Sequence, residues 1–386
     1  MEALNFNGRG SEYFKIWIVN ILLTILTMGI YYPWAKARNR RYFYANTTLA
    51  DRNFEYHATG KQLFVGFLIG VIFFILYNIL GQANPQLGML LFFILLLILP
   101  WLIWRSLMFN MKVTSFSTVH FSFKGELGKA YMIFFGYPLL FLIILSILGL
   151  VASTIFPNIK NIDKDILVIV GSVAGLGSLF LYLFVFAFIK KKSTEYFIGN
   201  SYYGQGAFKT ELETKKFFII LLKTVGISLL PLILISIALE LIRTVTHSSI
   251  AYETTVNGFT SEAEIFFLLA YFVMIFIMIL IFSYMATRER SYIYENTLLD
   301  SKIAFESTLR ARDLTWVMVS NLFLILITLG IAFPWAKVRV AQLMLENTLV
   351  DTEIGFDNYI SEKQKEVSAM GDQIGDAFDI DVGVAF

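Results

Sequence analysis

"TMGIYYPWAKARNRRYFYANTTLAD" runs from Thr27 to Asp51, and 301 residues later "TLGIAFPWAKVRVAQLMLENTLVD" runs from Thr328 to Asp351. Set without a gap, Asn20 to Thr47 and Asn321 to Thr348 share 12 of 28 positions: Asn, Leu, Thr, Gly-Ile, Pro-Trp-Ala-Lys, Arg and Asn-Thr. Agreement of that order within one chain marks an internal repeat, and the period of a repeat decides the fold before any single residue does.

The composition places the repeat in a membrane. Of 386 residues 57% are hydrophobic and only 16% charged, where soluble domains carry about a quarter; the mean hydropathy is +0.68. Six apolar runs reach the roughly 20 residues that cross a bilayer core: Leu63 to Leu80, Leu87 to Trp104, Tyr131 to Phe156, Ile166 to Ile189, Phe217 to Leu239 and Ile265 to Tyr284. The opening "MEALNFNGRGSEYF" lacks the zones of a cleavable signal peptide, so the first hydrophobic segment is expected to stay. With no cysteine there is no disulfide framework, thiol catalysis or thiolate metal site. The net charge of +2 conceals a basic membrane part and an acidic tail after Phe356.

The connections between runs alternate in charge. Lys36 to Lys61, Arg105 to Lys129, Lys190 to Lys216 and Arg288 to Asp313 are rich in Lys and Arg; Gly81 to Gln86, Pro157 to Asp165 and Glu240 to Glu264 are not. Basic loops lie on the cytoplasmic side, so the six runs read as three hairpins opening to the cytoplasm. Ile16 to Trp34 and Trp316 to Trp335 fit less well, each holding an Asn (Asn20, Asn321) and a Gly followed by a Pro (Gly29, Pro33; Gly330, Pro334). Both Gly and Pro weaken a helix interior. A single span for each puts Lys337 and Arg339 on the wrong face; a break at the Gly, with the chain turning back, keeps both termini cytoplasmic and is the favoured of the two readings. Broken backbone at membrane depth must be buried in protein or line a wet cavity, so Asn20, Asn321, Gly29 and Gly330 become candidate pore or solute contacts.

The motif extends beyond two copies. Pro100-Trp101 with Arg105 is a third PWxxxR, and "RERSYIYENT" (Arg288 to Thr297) matches "RNRRYFYANT" (Arg38 to Thr47), with weaker relatives beginning at Lys192, Arg339 and Arg105. A cation, an aromatic four residues on and an Asn eight residues on share one helix face. Alternating apolar segments after the Asn (Asp51, Phe54, Tyr56; Asp300, Ile303, Phe305; Asp351, Ile354, Phe356), with Val119 to Gly125 and Asn5 to Gly8, read as short strands. The expected fold class is an all-α polytopic membrane protein of five strand-plus-helical-hairpin repeats. It has six long transmembrane helices, two short or re-entrant hydrophobic segments and small cytoplasmic β elements. The repeats are placed at about 6–53, 54–120, 121–206, 207–304 and 305–356, within one membrane domain (1–356), followed by an acidic, flexible tail (357–386).

The paired PWAKxR segments, the opening "FNGRGSEYFKIWIVN" and the closing "GDAFDIDVG" resemble the YjgN family of bacterial inner-membrane proteins, from near the first residue to the last. The resemblance implies a multi-pass protein of the bacterial inner membrane whose biochemical role is not established, and it brings no catalytic residues.

Nothing in the chain has the spacing of a catalytic or metal motif, and no nucleophile–base pair is visible. The three histidines, His57, His120 and His247, read as loop residues, and Glu240 and Arg243 are spaced to pair with one another. No enzyme, cofactor, metal or nucleic-acid reading survives. Arg38, Arg105, Lys192, Arg288 and Arg339 form a candidate cytoplasmic ring for anions or lipid head groups, the competing reading being that they set topology. The expected function is a channel or transporter for a small solute or ion; the alternative is a non-transporting scaffold or envelope component binding lipid or a protein partner through its basic face. The lipid bilayer is the partner common to both, with anionic head groups next; the sequence names no solute and no oligomeric state.

Overall fold

The computed structural model describes residues 1–155, 164–250, 261–352 and 356–366; for 261–270 and most of 232–250 only the backbone is described. The side chains of Glu240, Arg243 and His247, and all of Gly375 to Gly383, lie outside the described residues.

Five helical hairpins hang from one sheet. The chain opens with β1 (Glu2–Ala3) and β2 (Asn5–Phe6), then α1 (Gly10–Leu26), α2 (Tyr32–Ala45) and β3 (Thr47–Leu49). The second unit is β4 (Arg52–Tyr56), α3 (Gly60–Ala83), α4 (Pro85–Lys112) and β5 (Thr114–Phe116). The third is β6 (Val119–Phe123), α5 (Leu127–Tyr131), a π-helical turn (Met132–Gly136), α6 (Tyr137–Ile155), α7 (Lys164–Gly199) and β7 (Ser201–Tyr203). β8 (Gly206–Thr210), α8 (Thr214–Ile250), α9 (Ser261–Glu295) and β9 (Thr297–Leu299) form the fourth; β10 (Ile303–Ser307), α10 (Ala311–Ile327), α11 (Phe333–Glu346) and β11 (Thr348–Val350) form the fifth. A last helix, α12, covers 356–366.

The eleven strands among the described residues join one antiparallel sheet with β1 and β2 at its opposite ends. Those two strands are separated only by Leu4, whose N–H donates to Thr348 O at 3.0 Å. One segment, Glu2 to Phe6, therefore pairs with β11 through Glu2↔Val350 and Ala3↔Leu349, and with β3 through Asn5↔Thr48 and Phe6↔Thr47. The sheet curls into a nearly closed barrel of four β-hairpins, completed by β11 and the N-terminal segment. Ala50-Asp51, Ser117-Thr118 and Asp300-Ser301 turn three of them with two successive left-handed residues, the geometry that matches strand twist. Period-2 alternation sends Phe54 and Tyr56 inward and leaves Asn53 and Glu55 exposed. Beside the turns the interior is filled by Leu49, Phe116, Val119, Tyr203, Leu299 and Ile303, packed against Phe356, Tyr359 and Ile360 of α12.

This corrects the all-α expectation. Each unit supplies two strands rather than one; of the missed ones β3, β5, β7, β9 and β11 are three residues long, too short to show alternation, and the five-residue β8 carries a single large apolar side chain, Phe208. The expected strand ending at Phe356 is replaced at that residue by the start of α12, with 353–355 outside the described residues. In place of six long transmembrane helices, five among the described residues are long and apolar enough to cross a membrane: Gly60–Ala83, Pro85–Lys112, Leu127–Thr154, Val168–Gly199 and Tyr271–Glu295. The run Phe217 to Leu239 falls within α8, a continuous 37-residue helix containing Pro231.

The first and last hairpins break and turn back. Met28 and Gly29 have φ of 51° and 92°, Leu329 and Gly330 of 49° and 91°, left-handed values that glycine adopts without strain. The shared Thr ties each turn. Thr27 Oγ1 donates to Leu23 O and accepts from Tyr31 N–H, as Thr328 Oγ1 does with Leu324 O and Ala332 N–H. At 17 and 14 residues the arms are about 26 and 21 Å long, below the roughly 30 Å of a bilayer core.

Pairing of Glu2 with Val350 puts the first and last strands on one side. Reporters fused before Met1 and after Phe386 are expected to read the same compartment, the cytoplasm, with a label at Gln82 reading outside. Opposite readings for the two ends would break the ring model.

Candidate functional site

The repeated motif is a set of joints. In α2 and α11 the Pro occupies the first turn, where its missing N–H has no partner to lose; the third copy, Pro100, lies inside α4. The Trp covers the next unit. A methyl group at Gly60 would come within 2.2 Å of Trp34 Cδ1, and one at Gly10 within 2.3 Å of Trp335 Cδ1, so only glycine allows that approach. Trp335 thereby joins the last unit to the first.

The motif's Arg and the upstream Asn meet. Asn20 and Asn321 are 3% and 5% exposed. Arg339 Nη1 donates to Asn321 Oδ1 at 2.7 Å and Nη2 to Ser320 Oγ at 3.1 Å, while Asn321 Nδ2 donates to Ala336 O at 3.0 Å. In the first hairpin Arg38 Nη1 lies 3.5 Å from Asn20 Oδ1, and Asn20 Nδ2 donates to Asn39 Oδ1 at 3.0 Å. The residues singled out as solute contacts and as anion contacts are thus partners in one clasp per short hairpin. Gly29 and Gly330 sit apart from them, at the hairpin tips beside Met28 (95% exposed) and Leu329 (93%). Of the remaining cations, Lys192 pairs with Glu195 at 3.6 Å, Arg288 is exposed over the Tyr284 ring, and Arg105 is exposed.

The end of the motif caps its helix. Thr47, Thr114, Ser201, Thr297 and Thr348 each donate a hydroxyl hydrogen to the carbonyl four residues back, at 2.6 to 2.9 Å. Asn46, Asn200, Asn296 and Asn347 donate likewise to residues 42, 196, 292 and 343. The aromatic pins the hairpin base: Tyr42 OH bonds Arg9, Tyr196 OH donates to Glu126 O, and Tyr292 OH accepts from Glu213 N–H.

A cavity of about 890 Å³ lies among these helix ends and the strands beneath them. Its strand side is made by Phe54, Phe121, Phe208 and Phe305, the third residues of β4, β6, β8 and β10; Leu4 holds the corresponding place in the N-terminal strand. Leu107 and Met111 of α4, Phe134 of the π-helical turn and Phe197 and Ile198 of α7 add apolar wall. Lys190 reaches the wall, but its Nζ pairs at 3.0 Å with Glu289, which is 8% exposed. Asn110 accepts from Arg40 at 2.6 Å. No sequence signal announced this cavity, although the phenylalanines at matching strand positions could have.

At the far rim, α12 is latched by Asp300, which accepts from Ala207 N–H and Tyr359 OH, both at 2.9 Å, and lies 3.4 Å from the buried Lys363. Burial alone would raise the Asp300 carboxyl; the Ala207 and Tyr359 hydrogen bonds and the Lys363 charge outweigh it and hold the group below its ordinary 3.8. Burial and the Asp300 hydrogen bond push Tyr359 up. Gln364 Nε2 adds a 2.8 Å bond to Ser117 O. On the outer face the His57 and His120 rings lie tilted against each other with centroids 4.8 Å apart, His57 Nε2 lying 2.7 Å from Ser115 Oγ. Among the described residues no group of three or more His, Cys, Asp or Glu is placed to hold a metal ion.

This arrangement can be set beside known proteins. The family described as "Bacterial protein of unknown function (DUF898)" matches residues 1–377. The chain belongs to the DUF898 family. "Inner membrane protein YjgN" of Salmonella typhimurium strain LT2 is 28% identical over 361 residues, 92% of this chain and 89% of the relative. The protein of the same name from Escherichia coli K12 is 27% identical over 357 residues, 89% and 87% of the two chains. No solved structure matches. With five candidate spans and these relatives, this DUF898 chain is an inner-membrane protein.

Two measurements test the joints. In a double-mutant cycle of Asn321→Leu and Arg339→Met, followed by denaturation in detergent, the pair should show a coupling of about 1–3 kcal/mol; additive effects would mean the clasp carries no stability. For α12, the Asp300 carboxyl is depressed, so its contribution is present above the ordinary carboxylate value and lost as pH falls through the lowered one. Hydrogen exchange of 356–366 should therefore accelerate several-fold below about pH 4, and Asp300→Asn should be fast at every pH; unchanged exchange in that variant would remove Asp300 from the latch.

Proposed function

We propose that this DUF898 protein is a non-transporting, lipid-engaging component of the inner membrane: a cytoplasmic barrel anchored by long hairpins whose faces meet lipid. One observation carries the reading, the filling of the barrel lumen by strand side chains and α12, with Val119, Tyr203 and Ile360 among the fully buried residues. A route along the axis has to pass that packing. Supporting it, the apolar windows of the five candidate spans are only 0 to 17% buried, so these helices present their surface to hydrocarbon rather than enclosing a polar path. Asn20 and Asn321, the intramembrane polar residues that favoured transport, have their hydrogen bonds met within their own hairpins. The basic connections set the barrel on the cytoplasmic side. No metal cluster among the described residues favours an enzyme.

Purified protein in vesicles loaded with a pH- or potassium-sensitive dye should give flux no higher than empty vesicles, before and after removal of residues 356–386. Flux that rises on removing α12 would replace this reading with that of a plugged channel.

A further inference from the structure

We propose that the axial cavity is a binding site for the acyl chain of a bilayer phospholipid, a step that rests on the lipid-engaging reading above and gives it a place in the molecule. Its size, about 890 Å³, lies within the range of small-molecule sites, so the first question is what chemistry its wall admits. Phe54, Phe121, Phe208 and Phe305 come together from four strands as one aromatic floor. Apart from Tyr44 and Tyr294, the polar residues around it are already engaged. The hydroxyls of Thr114, Ser201 and Thr297 donate to carbonyls of their own helices, as do those of Ser193 and Thr194 to Lys190 O. The one cation, Lys190, is neutralised by Glu289, and Asn110 is held by Arg40. A sugar, an ion or a nucleotide would lose its hydration here against groups with little bonding left to offer. A hydrocarbon chain loses nothing and gains burial.

The wall also carries the one π-helical turn among the described residues, Met132–Gly136, which contributes Phe134. Such turns cost helix stability and concentrate at functional sites. The supply of ligand follows from the spans: helices 0 to 17% buried stand in lipid up to the bases where the cavity lies, so acyl chains are its immediate neighbours, whereas the far end of the barrel is closed by α12.

The test uses full-length protein in vesicles of phosphatidylethanolamine and phosphatidylglycerol containing a phospholipid with a diazirine in its acyl chain, with peptide mapping after irradiation. Crosslinks are expected on the strands bearing Phe121 and Phe208. Ser193→Trp and Ile198→Trp, each filling the cavity from α7, should lower those crosslinks at least fivefold while leaving labelling of Phe92 and Phe93 on α4 unchanged. That span labelling reports whether a variant is folded in the bilayer. Wild-type crosslinks confined to the spans, or strand crosslinks indifferent to both tryptophans, would overturn the proposal; strand labelling by a free diazirine fatty acid but not by the phospholipid would overturn the bilayer lipid as its source. Flux and crosslinking fail separately: flux with strand crosslinks sinks only the non-transporting reading, and silence in both sinks only the acyl-chain site.

Discussion

Everything in this fold depends on the double pairing of Glu2 to Phe6. A short antiparallel sheet with two open edges leaves rows of unpaired N–H and C=O groups that invite association, and strands of three to five residues have little stability of their own. By bonding β11 on one side and β3 on the other, the N-terminal segment removes both edges at once. The order of the hairpins is then fixed, since each joins two antiparallel strands that are hydrogen-bonded to each other and lies beside the hairpin of the next unit. Closure in the sheet is repeated above it, where Trp335 of the last unit covers Gly10 of the first as Trp34 covers Gly60.

The transition from helix to strand gives the motif its length. A helix leaves its last carbonyls without intrahelical partners, and here the next residues must already be extended. Side chains from an Asn and a following Thr or Ser donate back by four residues, so the helix is satisfied at the point where the strand begins. The fall of Asn and Thr eight and nine residues after the Arg is thus a statement about how many turns separate the hairpin clasp from the barrel rim. Unit two departs from it, with Val113 in place of the Asn; Asn110, three residues earlier, donates to Ser106 O and accepts from Arg40 of the neighbouring unit.

That logic explains what could be read in advance. The repeats, the basic ends and the broken first and last hairpins rest on local spacing and were visible in one chain. The second strand of each pair was not, because Thr47 to Leu49 or Ser201 to Tyr203 cannot display a period in three residues; nor was Gly206 to Thr210, where Phe208 is the only large apolar residue. The clasp was half visible: Asn20 and Arg38 were both singled out, but for different roles, since polar residues in an apolar run and cations at its end suggest function when their partner is unknown. Ring closure and the cavity depend on residues hundreds of positions apart. Phe54, Phe121, Phe208 and Phe305 become one surface only once the strand order is known.

The width of the ring accounts for both its plug and its cavity. Counting Glu2 to Phe6 as one strand, the barrel has ten, and a barrel of about eight is already just wide enough for side chains alone to fill. The excess must be occupied or left open. On the turn side it is occupied by α12, whose Phe356, Tyr359 and Ile360 supply what the strands lack. On the membrane side no described segment enters, and the four phenylalanines end at a wall where the Ser and Thr hydroxyls are bonded to their own helices. Water gains few hydrogen bonds in such a space, and a dry void forfeits dispersion contacts along its lining. An apolar guest relieves both costs, and the bilayer brings one to the helix bases.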